Sequence, residues 1–219
     1  IYERLGLEGD AADEYHHLGI VAQRRKRLNE AEQWYRKALE IRERLGLERY
    51  AASCYHQLGL IARERQQFDE AEKWHHKALV IDQRLNLDRN AADEYHHLGI
   101  IAQMKQHVDK AEKLYHKALE IYERLGHPPS LINTLAQLGV LYGQQNHLHE
   151  AVRWFGRAWA IAAEYQMRVG GQVLVDLARV MKAMGEEGFA AAWRQAFEGQ
   201  EPPLEALREV LRRLEGGET

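Results

Sequence analysis

The stretch "EYHHLGI" occupies residues 14–20 and recurs letter for letter at residues 94–100, with the related "CYHQLGL" between them at residues 54–60. The interval is 40 residues each time. When the chain is written in rows of 40, residues 11–50 and 91–130 are identical at more than half of their positions, and no gap is needed to align any row. Internal duplication with a period of this length is typical of a repeat protein.

Each row contains two blocks of apolar residues at helical spacing, illustrated in the first row by Tyr15 and Leu18 and then by Tyr35. Such spacing places the apolar side chains on one face of a helix. We therefore predict two helices in each row, helix A at about residues 11–26 and helix B at about residues 29–45 of the first row.

The residues at the helix boundaries also repeat. Asn or Asp followed three residues later by Glu is the pattern of a capping box and predicts the start of helix B. Gly or Asn tolerates the left-handed backbone that often ends a helix, and so predicts the end of helix B. The predicted capping pairs are Asn29 with Glu32, Asp69 with Glu72, and Asp109 with Glu112, and the predicted helix ends are Gly46, Asn86 and Gly126.

These residues resemble the tetratricopeptide repeat. In the first row the matching positions are Tyr15, Leu18, Gly19, Ala22, Ala31, Tyr35 and Ala38. The period of 40 residues is longer than the 34 residues usual in that family. With this longer period the chain resembles the repeat arrays of Leu-Gly-Asn proteins and kinesin light chains. It also resembles the tetratricopeptide regions of bacterial signalling proteins with a STAND NTPase or CHAT protease. The resemblance implies an all-α fold, a right-handed superhelix (α-solenoid) of helix-turn-helix repeats.

The same alignment gives a division of the chain. We expect the end of a truncated preceding repeat at residues 1–10, four repeats at residues 11–50, 51–90, 91–130 and 131–170, a degenerate fifth helix pair at residues 171–200, and a C-terminal capping helix and tail at residues 201–219. The last helix has an apolar seam that includes Leu207 and Leu211. This seam either covers the last repeat or pairs two chains, so the oligomeric state is left open.

Composition excludes several classes of partner. The 219 residues carry 30 Lys and Arg against 33 Asp and Glu, a net charge of -3 that offers no field for nucleic acid or an anionic membrane. The chain contains no run of about 18 apolar residues, so we expect no membrane span. With Cys54 as the single cysteine, we expect a cytoplasmic protein.

A search for catalytic chemistry finds little. Twelve histidines are present, but no two are three or four residues apart, so no helix offers the chelating pair common in metal sites. A zinc site across His16, His56 and His96 is geometrically conceivable, but packing or groove histidines are the better interpretation. We expect no catalytic residue, no metal and no cofactor, and we do not expect an enzyme.

In the tetratricopeptide family the helix A faces line a concave groove, and the resemblance therefore implies a binding site for a protein or peptide. The predicted groove residues are His16, His17, Ile20, Gln23, His56, Gln57, Leu60, Arg63, His96, His97, Ile100, Gln103 and Val140. Since free histidine has a pKa near 6.5, we expect the groove histidines to become charged together as the pH falls toward about 5.5.

The groove positions also indicate what is bound. Family members that clamp a C-terminal carboxylate use Lys, Arg and Asn where this chain has His16, Ile20, Gln57, Asp93 and His97, so a carboxylate clamp is not expected. The apolar stripe of Ile20, Leu60, Ile100 and Val140 instead suits one face of an amphipathic helix, from a partner or from another part of the parent protein. The alternative is that these four residues are buried and leave no open groove.

The function predicted from the sequence is thus a protein-protein interaction scaffold. The alternative is a sensor or autoinhibitory tetratricopeptide arm of a larger bacterial signalling NTPase or protease.

Overall fold

A computed structural model of the chain describes residues 7–167 and 170–216. Within these ranges the structure consists of eleven helices and contains no strand. In chain order they are α1 (Glu8–Arg24), α2 (Leu28–Arg44), α3 (Glu48–Glu64), α4 (Phe68–Arg84), α5 (Asp88–Met104), α6 (Val108–Leu125), α7 (Pro128–Gln144), α8 (Leu148–Glu164), α9 (Gly170–Met184), α10 (Glu186–Ala196) and α11 (Leu204–Gly216). The all-α, helix-turn-helix architecture predicted from the sequence is confirmed.

The contacts divide the chain into two compact units, one ending at Leu114 and the other beginning at Tyr115. In the first unit α1 packs on α2 and α3 on α4, and these pairs are joined by contacts of α2 with α3 and of α4 with α5. In the second unit α7 packs on α8, and α9 contacts α8, α10 and α11. Helix A begins at residue 8, 48 or 88, about three residues earlier than predicted. At α3 and α5 the reason is that a turn of three residues suffices to connect the helix to the preceding helix B.

The turns that separate the helices adopt left-handed backbone at fixed positions. Gly46, Asn86 and Gly126 have φ angles of 66°, 53° and 60°, which confirms the predicted ends of helix B. The turn from helix A to helix B also contains a left-handed residue in each repeat, and there the chain uses side chains that are not glycine. These residues are Lys26, Gln66, Gln106 and Asn146.

The predicted capping boxes are wrong for α2 and α4. These helices begin at Leu28 and Phe68, and the preceding Arg27 and Gln67 make no side-chain cap hydrogen bond. Asn29 therefore lies inside the first turn of its helix rather than before it. The polar residues that form the capping pattern in the sequence make other contacts in the structure.

Those polar groups instead hold a cation from the next repeat. Arg65 at the end of α3 donates hydrogen bonds to Asn29 Oδ1, at 2.7 Å, and to Glu32. Lys105, which follows α5, lies at 2.7 Å from Asp69 Oδ1 and 2.9 Å from Glu72 Oε2. Each clasp joins the start of one helix B to the end of the following helix A.

The packing inside each pair depends on a glycine of helix A. A Cβ atom on Gly19 would lie 2.6 Å from the Tyr35 ring, and one on Gly139 would lie 2.7 Å from the Phe155 ring. The second repeat has His75 where the others have Tyr or Phe, and a Cβ atom on Gly59 would lie 2.6 Å from the His75 ring. Glycine is required at these positions because the aromatic ring occupies the space of a methyl group.

Successive pairs bury the leucine before this glycine. Leu58 and Leu98 are 2% exposed, and Leu58 joins a cluster that includes Tyr35 and Leu39 of the preceding repeat. Leu18 has the same place on α1 but is 43% exposed, because no helix pair precedes α1 in the part of the chain that the structure describes. Burial at this position therefore comes from the neighbouring repeat.

The C-terminal helices follow a less regular plan. A single residue, Gly185 with a φ of 76°, separates α9 from α10. Helix α11 packs on α9 and buries Leu207 completely, while Leu214 is 37% exposed. The division of the chain into repeats and a cap stays a prediction, and parts of it, at residues 1–6, 168–169 and 217–219, lie outside the described residues. Among the helices that are described, none has the length and apolar character needed to span a membrane.

Candidate functional site

The structure distributes the predicted groove residues over the A helices. Four lie on each of α1, α3 and α5, and Val140 lies on α7. His17 is exposed and the other twelve are half-buried. No member of the predicted apolar stripe is therefore fully buried. Ile20 packs partly against the core cluster that contains Tyr35 and Leu58, so the stripe residues rest on the core with part of each side chain accessible.

In the first repeat the guanidinium of Arg42 fills the space between α1 and α3. Its Nη2 donates to Asp13 Oδ1 at 2.8 Å, and its Nη1 lies 3.2 Å from His16 Nδ1. Nη1 also lies 3.0 Å from the Tyr50 carbonyl oxygen, 3.3 Å from Ser53 Oγ and 3.0 Å from Cys54 Sγ. Arg42 is only 3% exposed, so this is a buried cation held by a surrounding set of polar groups.

Between the second and third repeats a buried carboxylate takes the central place. Glu94, 2% exposed, accepts one hydrogen bond from His56 Nδ1 and one from His75 Nδ1, both at 2.6 Å. The ligand atoms of these three residues lie within 4.8 Å of one another, a combination able to hold a metal ion. The prediction of no metal considered only pairs within a helix and the His16, His56 and His96 ladder, and it did not anticipate this group.

His97 completes a cluster of rings around Glu94. Its ring is stacked on that of His75 at 5.2 Å between centroids and meets that of His56 edge-on at 5.1 Å. Its Nδ1 lies 3.3 Å from Arg63 Nη1. Two predicted groove residues, Arg63 and His97, are thus brought into contact across α3 and α5.

The pKa values of four predicted groove histidines, His16, His56, His96 and His97, are displaced in different directions. Burial, aided by the charge of Arg42, lowers the pKa of His16 to about 4. Burial and the charge of Arg63 lower the pKa of His96 to about 4, and burial beside His75 lowers the pKa of His97 well below its usual value. At His56 burial opposes the charge, but the hydrogen bond to Glu94 and the charges of Glu94, Asp93 and Asp82 raise the pKa. The expectation that the groove histidines charge together near pH 5.5 is wrong, because Glu94 raises the pKa of His56 while burial lowers the pKa of His16, His96 and His97.

Beside Glu94 a polar cavity of about 180 Å³ lies between α3, α4 and α5. Two of its lining residues, His56 and Gln57, are predicted groove residues. Among the described residues, the lining consists of Ala52, Ser53, His56, Gln57, Asp82, Asn90, Asp93 and Glu94. Three of these residues carry carboxylates, so the cavity is strongly acidic.

In the second unit Val140 lines a more open and mainly apolar cavity of about 310 Å³. Its walls come from α7, α8 and α9, and include Phe155 and Val180, with Asp176 and Arg179 also present. The apolar character predicted for the helix A face is therefore present at this position too.

Four residues of these buried clusters were missed by the sequence analysis, Arg42, His75, Asp82 and Glu94. They are contributed by helices of three consecutive repeats, so no short motif contains them. A signal was nevertheless present in the alignment of the rows. Arg42 is aligned with Asp82, and Cys54 is aligned with Glu94, in rows that are otherwise similar.

Comparison with protein families supports the resemblance seen in the sequence. The family model described as Tetratricopeptide repeat matches residues 10–86 and 88–164, more than half of the chain. The search of curated proteins gave no match.

Solved structures share the fold. BtubC (BKLC) from P. vanneervenii is 22% identical with a TM-score of 0.74, over 98% of this chain and 85% of that one. A putative kinesin light chain of Podosopora anserina with nearly identical TPR-like repeats is 18% identical with a TM-score of 0.68, over 92% of this chain and 95% of that one. A Rap protein complexed with Competence and Sporulation Factor is 20% identical with a TM-score of 0.70, over 96% of this chain and 64% of that one. At these identities the likeness shows the fold alone.

Proposed function

Since this chain belongs to the tetratricopeptide repeat family, we propose that it is a protein-interaction scaffold that holds a segment of a partner protein along its helix A face. Arrays of stacked helix pairs present extended surfaces of this kind. The Rap protein with a similar fold was solved in complex with Competence and Sporulation Factor. That complex is a property of the Rap protein, and it supports the proposal as a precedent for the fold.

The observation that carries the proposal is the apolar stripe of Ile20, Leu60 and Ile100. These residues repeat every 40 positions on α1, α3 and α5, and each remains half-buried rather than buried. Polar groove residues flank them, for example Gln57 and Arg63 around Leu60. A partly exposed apolar row with polar borders suits the apolar face of an amphipathic helix, which places anchors at intervals of three or four residues.

The test uses a displayed library of random peptides of about 18 residues, roughly five helical turns. Peptides selected on the full chain are measured against a variant with Ile20, Leu60 and Ile100 all replaced by serine. We expect the Kd to rise at least about tenfold, which corresponds to about 1.4 kcal/mol of lost apolar contact, and the thermal midpoint to stay within a few degrees of the wild type.

The control variant is Val80→Ser, which removes an apolar side chain that is 62% exposed on α4. It should bind the selected peptides as the wild type does. Unchanged affinity in the triple variant would contradict the proposal. So would a large fall in its thermal midpoint, because the stripe would then belong to the core.

A further inference from the structure

The acidic cavity between α3, α4 and α5 has an internal counterpart one repeat earlier. There Arg42 contacts Asp13, His16, Tyr50, Ser53 and Cys54. The residues 40 positions further along the chain are Ser53, His56, Asn90, Asp93 and Glu94, and all five line the cavity. The residue that corresponds to Arg42 itself is Asp82, which lines the cavity as well. The second repeat thus retains the place of a buried guanidinium and lacks the arginine.

The number of carboxylates also differs between the site of Arg42 and the cavity. Asp13 is the carboxylate that pairs with Arg42 in the first repeat. The described lining of the cavity, which comes from the second and third repeats, contains Asp82, Asp93 and Glu94 and no Lys or Arg. Arg63 belongs to the neighbouring ring cluster through its contact with His97. The described lining residues therefore carry three carboxylates, against the one imidazole of His56.

Asp82 is the group that most requires a partner. It is 2% exposed, and its hydrogen bond within the described part of the chain comes from Asn90 Nδ2 at 3.5 Å, the limit of such a bond. A buried carboxylate is costly unless it is paired. Burial and the charge of Glu94 accordingly raise the pKa of Asp82 to about 6.

The space is sufficient for a small cationic group. A single water molecule needs about 10–15 Å³ of space of this kind, and the cavity offers about 180 Å³. A planar group of four heavy atoms fits within it. Guanidinium adds five N–H donors in a rigid fork, which suits several carboxylate and amide oxygens at once.

We propose that this cavity is a recognition pocket for an arginine side chain, supplied by the partner segment that the chain binds along its helix A face. This inference rests on the proposed function and names one feature of the partner. Asp93 and the backbone carbonyl of Asn90 receive the guanidinium as Ser53 and the backbone carbonyl of Tyr50 receive Arg42. Asp82 supplies the carboxylate that Asp13 supplies one repeat earlier. His56 and Glu94 form the inner wall.

A divalent metal ion at His56, His75 and Glu94 is the competing occupant. In the present arrangement both Nδ1–H groups are donated to Glu94. Coordination through these nitrogens would move the His75 proton to Nε2, which is buried beside Gly59 and has no hydrogen-bond partner among the described residues. A buried donor without an acceptor is costly, so the geometry favours guanidinium over a metal.

The first test titrates the full chain with Nα-acetyl-arginine amide and follows backbone amide shifts by NMR. Nα-acetyl-citrulline amide is the matched control because it has nearly the same shape and no charge. We expect saturable shifts at Ser53, Asn90 and Asp93 with a Kd in the millimolar range, on the order of 4 kcal/mol for a single side chain. The citrulline probe, and the arginine probe on Asp82→Asn, should bind at least about tenfold more weakly.

The second test is Asp82→Arg, which supplies the arginine from the chain as in the first repeat. This variant should lose the response to the arginine probe and gain a few degrees in thermal midpoint. Equal shifts with citrulline, an unchanged response in Asp82→Asn, or a lower thermal midpoint in Asp82→Arg would overturn the inference. So would Zn²⁺ shifting the same amides at micromolar concentration and blocking the arginine probe.

Failure of this inference and failure of the proposed function are distinguishable. If the chain binds selected peptides through the apolar stripe but ignores the arginine probe, the pocket is rejected and the scaffold stands. If it binds the probe but no peptide, the scaffold is rejected.

Discussion

At the scale of single residues, identical letters have different environments in this chain. Glu14 and Glu94 both begin the stretch "EYHHLGI". Glu14 is exposed, whereas Glu94 is buried and accepts hydrogen bonds from His56 and His75 of the preceding repeat. The chemistry of a residue here depends on the repeat that precedes it.

The contact between Gly59 and His75 can be tested by adding one methyl group. Gly59→Ala would place a Cβ atom 2.6 Å from His75 Nε2. Because His75 is buried and hydrogen-bonded to Glu94, its ring has little freedom to move, and we expect a loss of about 1–3 kcal/mol in the free energy of unfolding. Urea denaturation measures this loss.

Gly9→Ala is the control for that change. Gly9 also lies in a helix, and a Cβ atom there would have no neighbour within 4 Å. Alanine should be neutral or should stabilise the protein by up to about 1 kcal/mol. Equal stability losses in the two variants would argue against the close contact with His75.

His16 and His56 hold the same position in consecutive repeats, but their pKa values should be shifted in opposite directions from 6.5. Imidazole NMR signals of His56 should move at a pH above 6.5, whereas those of His16 should remain those of a neutral ring down to about pH 4. The contribution of His56 to stability is therefore full below pH 6.5 and is lost as the pH rises through its folded pKa. The contribution of His16 is full above pH 6.5 and is lost as the pH falls toward about 4.

Glu94→Gln is the matched variant for this titration. It removes the charged acceptor and leaves burial, which lowers the pKa of a histidine. The pKa of His56 should then fall below 6.5, and that of His16 should not change. Coincident titration of both rings near pH 6.5 in the wild type would contradict the assignment of their neighbours.

At the scale of elements, polar side chains at the start of helix B link successive repeats and do not cap their own helix. Asp69 and Glu72 hold Lys105 of the next repeat. Burial opposes the charge of Glu72, but hydrogen bonds from Lys110 and Lys105 lower its pKa to about 2. A pattern that indicates a capping box in the sequence therefore serves as a link between successive helix pairs.

The terminal helix α11 gives a prediction at this scale. Leu207 is completely buried where α11 packs on α9. Leu207→Asp puts a charge into that contact, so we expect a loss of more than about 3 kcal/mol and a lower thermal midpoint. Light scattering on the same samples reports the oligomeric state.

Leu214→Asp changes a leucine of the same helix that is 37% exposed. It should alter the free energy of unfolding by no more than about 0.5 kcal/mol. If Leu207→Asp instead converts a dimer into a monomer of unchanged thermal stability, the seam pairs two chains and does not cap the array.

At the scale of the whole molecule, each unit is built by contacts between neighbouring helix pairs. In such arrays stability is approximately a sum of terms within repeats and between adjacent repeats. In the first unit α3 contacts both α2 and α4, whereas α1 has α2 as its main neighbour among the described helices. The interior of the unit should consequently be more stable than its start.

Amide hydrogen exchange tests this gradient. We expect the amides of α3 to exchange at least about tenfold more slowly than those of α1, which corresponds to about 1.4 kcal/mol in local opening free energy. Leu18 and Leu58 provide the structural reason, since they are 43% and 2% exposed at equivalent positions. Uniform exchange across the unit would indicate that it unfolds as one cooperative block.

The sequence by itself determined the class of fold, the pairing of helices and the turns. Apolar spacing, glycines and residues such as Asn86 act over a few positions along the chain, so their consequences can be derived locally. The same reasoning identified the half-buried stripe of Ile20, Leu60 and Ile100 as a candidate binding surface, although it misassigned the capping pairs and the titration of the histidines.

Only the tertiary structure decided which charged groups meet. Arg42 with Cys54, and Glu94 with His56 and His75, are contacts between consecutive repeats, made by helices that stack with a particular rotation and offset. A buried charge responds to neighbours within about 4–6 Å, and those neighbours are set by packing in three dimensions. The acidic cavity at Asp82 lies where the preceding repeat places the guanidinium of Arg42, and this correspondence follows from packing and not from the local sequence.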